Sequence, residues 1–121
     1  DDYSKAFSIR YLAEAYKLRR DISEAINFFN QSLTLFEYHE EKKQIAVTLN
    51  HLSFMYGMKG DFSTSERYAQ ESLSVFREIN SLYGEMMALD YIGKSFEARG
   101  NYAKAKYYYS EKDKIASELN F

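Results

Sequence analysis

The chain has 121 residues and a mass of 14.3 kDa, enough for one domain whose core needs neither disulfide nor metal. It has no cysteine, which excludes a disulfide framework, a zinc ribbon, an iron–sulfur centre and a thiol nucleophile. Sixteen Lys and Arg against eighteen Asp and Glu leave a net charge of −2, which argues against a nucleic-acid surface, and no run approaches the roughly 20 apolar residues of a membrane span.

With no proline and five glycines, the pattern is helical nearly throughout, and six helices are predicted over residues 3–19, 22–39, 42–58, 62–79, 82–98 and 102–119. In the first, Ile9, Leu12, Ala13 and Tyr16 recur at spacings of three and four and form one stripe. Ala25, Phe28, Phe29, Ser32 and Phe36 do the same in the second. The third, with Leu49, Leu52 and Tyr56, stops at Gly60-Asp61, a helix-ending glycine before a residue able to cap the next amides. Gly100-Asn101 repeats that break between the fifth and sixth. In the sixth, Tyr108 and Tyr109 fall on the apolar stripe with Ala105 and are expected in the core, whereas Tyr107 points away and should be exposed.

A shift of forty residues superimposes the chain on itself. Tyr16, Tyr56 and Phe96 coincide, as do Leu12, Leu52 and Ile92, Ala25, Ser65 and Ala105, and Phe28, Tyr68 and Tyr108. One hairpin cannot cover its own apolar stripe, so neighbouring hairpins must stack as a solenoid. The expected organisation is a single domain over 1–121, with repeats at about 6–45, 46–85 and 86–121. A first residue other than Met, and a helical pattern running into Phe121, lead us to expect a fragment of a longer protein.

At these residues the chain resembles the tetratricopeptide repeat family. The third unit fits best, through Leu89, Ile92, Gly93, Phe96, Gly100, Tyr102, Ala105 and Tyr109; the second has Ser53, and the first Ala13 and Arg20, where glycines are usual. The period of forty exceeds the ~34 residues usual for the family. The resemblance implies an all-α right-handed superhelix, an α-solenoid of three helix-turn-helix repeats with six antiparallel helices. It also implies a concave groove lined by the first helix of each repeat. Carried onto this sequence, the groove positions are Arg10, Glu14 and Lys17, then Asn50, Phe54 and Gly57, then Asp90, Lys94 and Glu97, flanked by Tyr11, His51 and Tyr91. Phe54 is a large apolar residue where a merely solubilising face would carry a charge, and Asn50 offers both a donor and an acceptor to a peptide backbone. The family's carboxylate clamp is not matched, since Glu14, His51, Met87 and Tyr91 stand where it needs amides and cations. The mixed charges of the groove suggest an uncharged or mixed-charge ligand.

His39 and His51 are the only histidines and lie in no metal-binding or catalytic pattern; His39 is expected near a helix end. Nothing assembles a nucleophile, a base and an oxyanion site, so neither an enzyme nor a cofactor is expected. The expectation is a protein–protein interaction module that binds a peptide or protein segment in the groove, within a regulatory or signalling protein. The alternative is a structural spacer or self-association element. No nucleic acid and no membrane insertion are expected. Asp113 replaces the aligned Leu33 and Leu73, but Ile115 and Leu119 leave that edge partly apolar, so the C-terminal repeat could pair with another copy as a homodimer. The expected location is cytoplasmic, with an extracytoplasmic sensor domain as the alternative.

Overall fold

In the computed structural model, which describes residues 1–120, the helices are α1 (Asp2–Leu18), α2 (Ile22–Tyr38), α3 (Lys42–Lys59), α4 (Phe62–Glu78), α5 (Leu82–Ala98) and α6 (Tyr102–Glu118). Their ends agree with the sequence prediction to within one residue; Phe121, placed by that prediction in the last repeat, lies outside the described residues. Connections of two or three residues force neighbouring helices antiparallel.

Every connection has the same backbone. Arg20, Glu40, Gly60, Asn80 and Gly100 all take positive φ, between 54° and 88°. The amides of the residues that follow them, Asp21, Glu41, Asp61, Ser81 and Asn101, donate back to the carbonyls of Tyr16, Phe36, Tyr56, Phe76 and Phe96 at 2.9–3.0 Å. This is the Schellman closure, which satisfies carbonyls that a helix end leaves without partners. The closing residue also starts the next helix. As expected, the Asp61 and Asn101 carboxylate and amide oxygens accept from Thr64 N and Lys104 N at 3.2 Å, and Ser81 Oγ accepts from Gly84 N at 3.1 Å. Asp21 makes no such cap.

Two apolar clusters run through the stack. Ala13, Ala25, Phe29, Leu52 and Met55 form one; Ala46, Ala69, Leu73, Phe76, Ala88, Leu89, Ile92, Phe96 and Ala105 form the other. Small residues let the helices approach. A Cβ on Gly84 would lie 2.0 Å from Phe76 Cδ1, and one on Gly93 2.7 Å from Tyr109 Cε1. Where the second pair has Ser53 in place of glycine, Ser53 Oγ donates to Ser65 O and Ser65 Oγ to Ser53 O, both at 2.7 Å.

The ends of the stack depart from the expected stripes. Leu12 is 43% exposed although its counterparts Leu52 and Ile92 are fully buried, because among the described residues no helix pair packs on the outer side of α1 as the first pair does on α3. Tyr108 and Tyr109 pack against the second cluster but are half-buried, and in α6 only Ala105 is buried, since among the described residues α6 is packed only against α5 and its neighbours on one side. Tyr107 is exposed, as expected. Among the described residues no helix is long and apolar enough to cross a membrane.

Candidate functional site

The first helices of the three pairs, α1, α3 and α5, carry all the groove positions named from the sequence, and the structure sorts these by depth. Tyr11, Phe54 and Lys94 are exposed; Glu14, Lys17, His51, Asp90 and Tyr91 are half-buried; Arg10 and Asn50 are buried. Arg10 packs its guanidinium 5.1 Å from the ring centroids of both Phe7 and Phe36 and donates to Thr48 Oγ1 at 3.3 Å. It therefore works as a contact between the first two pairs. Asn50 lies below the surface, and its Oδ1 has no hydrogen-bond partner among the described residues.

His51 stacks on Phe29 at 4.8 Å, and burial, reinforced by Lys17 and Arg10, holds its pKa down to about 4. Its Nε2 is 3.7 Å from Glu14 Oε1, beyond hydrogen-bonding distance, and a neutral imidazole makes no ion pair there. Burial pushes the Asp90 carboxyl up, but hydrogen bonds from Lys112 and Lys94, each at 2.9 Å, outweigh it and leave the group below its ordinary range. Glu97 is held by Tyr109, whose hydroxyl donates to it at 2.8 Å.

Three adjoining depressions follow this face. The first lies against Lys17, Leu18, Arg20, Phe54 and Met58. The second, about 240 Å³, shares Phe54 and Met58 and extends to Tyr91 and Lys94. The third, about 200 Å³, shares Tyr91 and Lys94 and reaches Met86, Met87, Asp90 and Lys112. Sharing lining residues, they stand in a row from the end of α1 to α6, a channel with aromatic partitions. Phe54 and Tyr91 stand edge to face at its centre, with ring centroids 6.3 Å apart. Lys17 Nζ lies 5.3 Å from the Phe54 centroid.

Of the sequence-derived positions, the channel brings together Lys17, Phe54, Gly57, Asp90, Tyr91 and Lys94. Arg10, Tyr11, Glu14, Asn50, His51 and Glu97 do not line it. Sequence reasoning missed Met58, Phe62, Met86 and Lys112. Met58 stands one turn beyond Phe54 on the same face, and Lys112 is a departure from the aligned Ser32 and Ser72; both signals were visible.

Stacked helix pairs at a fixed period, with a channel along their first helices, define a tetratricopeptide-type repeat protein. Residues 2–89 match the family described as "Uncharacterized protein conserved in bacteria (DUF2225)", and the chain belongs to that family. No curated protein matches it. Among solved structures it is similar to aspartyl phosphate phosphatase F from Bacillus subtilis, at 15% identity and a TM-score of 0.96 over 99% of this chain. The chain spans 32% of that protein. It is likewise similar to the TPR domain of Arabidopsis FLU, at 15% identity and a TM-score of 0.87, covering 99% of this chain and 98% of that one. The TPR-like repeats of a Podosopora anserina kinesin light chain align at 13% identity and a TM-score of 0.83, over 99% of this chain and 59% of theirs. At such identities the likeness shows the fold: an all-α, right-handed superhelical solenoid of a kind used for protein–protein interaction.

Proposed function

We propose that the chain binds a peptide or protein segment along the face formed by α1, α3 and α5, as part of a regulatory or signalling protein. The row of depressions carries this reading. Adjacent depressions that share Phe54, Met58, Tyr91 and Lys94 offer an extended segment successive seats along one line, and a rigid stack lowers the ordering cost of binding it. Exposed Phe54 and half-buried Tyr91 are aromatics of the type enriched in binding cores. A fluorescence-anisotropy screen of a labelled peptide library tests the reading. Peptides that bind the wild type should lose about tenfold or more in affinity with Phe54→Ala plus Lys94→Ala, and nothing with Tyr107→Ala. Hits indifferent to the double variant would move the site off this face.

Self-association is the second reading, and it draws on the outer side of α6, where Tyr102 and Tyr107 are 69% and 59% exposed. Light scattering over a concentration series separates the two. A mass that doubles on dilution-reversible association, and reverts with Tyr102→Ser plus Tyr107→Ser, belongs to that reading alone.

A further inference from the structure

Each of four of the five glycines has a local reason to be glycine. Gly60 and Gly100 take positive φ in the connections, while Gly84 and Gly93 have aromatic rings where a Cβ would be. Gly57 has neither reason. It lies inside α3 without positive φ, and a Cβ there would meet only Ser65 Oγ, at an ordinary 3.4 Å. Glycine within a helix is unfavourable relative to alanine. Its aligned neighbours, Lys17 and Glu97, carry long side chains. What the missing side chain leaves is the central cavity of about 240 Å³ between α3, α4 and α5.

The chemistry of this cavity selects its occupant. Beneath it, Ser53 and Ser65 spend their hydroxyl protons on each other's carbonyls, and Ser95 Oγ donates to Phe62 O at 3.0 Å. These three hydroxyls leave no donor on the floor of the cavity, so polar recognition is confined to its rim, where Lys94 and Tyr91 stand. The walls are Phe54, Met58 and Tyr91, with the two rings perpendicular enough, at 74°, to present both an edge and a face. Aromatic groups favour that arrangement. The volume is below the roughly 300–1,000 Å³ of sites for whole small molecules, and suits one large side chain.

The rim adds a charge preference. Charged residues along the whole channel are Lys17, Arg20, Lys94 and Lys112 against Asp90 alone, in a chain whose net charge is −2. Glu14 does not line the channel, and Glu97 is engaged by Tyr109. Lys17 makes no ion pair among the described residues. Such an excess attracts carboxylates.

We propose that the cavity over Gly57 is an anchor pocket for an aromatic side chain of the partner segment, and that acidic residues flanking that ring meet Lys17 and Lys94. This rests on the peptide-binding reading and narrows the ligand from uncharged or mixed to acidic around an aromatic anchor.

The test uses three labelled peptides: one with a single tryptophan between aspartates, one with alanine in its place, and one with lysines for the aspartates. The first should bind about tenfold or more tightly than either other, and weaken as salt rises. Gly57→Leu, which fills the cavity in a helix that tolerates leucine better than glycine, should cost about tenfold in affinity with no fall in melting temperature. Lys17→Glu plus Lys94→Glu should invert the preference toward the lysine peptide. N-acetyltryptophanamide should shift the amide resonances of Ser53, Gly57 and Ser95, and Gly57→Leu should abolish those shifts. If the alanine peptide binds as well as the tryptophan peptide, the pocket assignment falls while the groove reading stands. If no peptide binds but the tryptophanamide shifts appear and vanish with Gly57→Leu, the pocket stands and the groove reading falls. Absence of both overturns the proposal.

Discussion

Gly57 and Gly60, three residues apart, should respond to alanine with opposite signs. Gly57→Ala replaces a helix-interior glycine, its new Cβ in ordinary contact with Ser65 Oγ at 3.4 Å, and should stabilise the fold by about 1 kcal/mol. Gly60→Ala forces a Cβ onto a residue at φ 88° and should destabilise it by roughly 1 kcal/mol. Urea midpoints of the two variants decide this, and equal signs would mean that the helix end is misplaced. Glu40 is the converse: a non-glycine at φ 54°, so Glu40→Gly should gain about 0.5 kcal/mol or more. His51 makes stability depend on pH. Its folded pKa of about 4 lies below the ordinary 6.5, so between those values the unfolded chain takes up a proton that the folded chain refuses. The contribution is complete above pH 6.5 and is lost as pH falls to about 4, a change on the order of 3 kcal/mol. Stability measured across that window should fall more steeply for the wild type than for His51→Gln; parallel curves would refute a buried neutral imidazole.

Between helices, the repeating unit is an aromatic stack. Tyr16 on Phe28, Tyr56 on Tyr68 and Phe96 on Tyr108 have centroids 5.5, 5.5 and 5.7 Å apart and planes within 20° of parallel. A cation, Arg19, Lys59 or Arg99, lies over the first ring each time, at 5.6, 5.8 and 4.4 Å. The forty-residue alignment showed that each member of these pairs recurs, because periodicity fixes which residues share a position, but not that the two stack on each other. It does not fix depth. The alignment puts Arg10 and Asn50 on the groove face, yet they lie beneath the surface because a neighbouring pair covers them; it puts Leu12 on the stripe, yet Leu12 is exposed because among the described residues nothing stacks on that side of α1. Direction follows from spacing, whereas burial depends on what stacks alongside. The Gly84 contact was illegible for a related reason, since the Phe76 ring that fills its missing Cβ comes from the preceding helix. Gly84→Ala should cost roughly 1–3 kcal/mol by overpacking, and Phe76→Leu in the same chain should recover part of it. Thermal melts of the two single variants and the double variant measure that coupling; strict additivity would show that the ring has room to move.

A solenoid buries its middle twice and its ends once. α3 and α5 have seven buried residues each and α6 one, so amide hydrogen exchange should be slowest in α3 and α5 and fastest in α6. Uniform protection along the chain would indicate a cooperative unit rather than a stack. The identical connections have a further consequence, for how such a chain can be edited. Because each closes after the same number of residues and hands over to a helix in the same phase, a second copy of residues 41–80 spliced after Asn80 meets the Ser81 it expects. A lone residue inserted within a helix has no such welcome: it turns everything beyond by about 100° and moves it by about 1.5 Å. The molecule has a grammar of whole words, and lengthens by forty residues far more readily than by one.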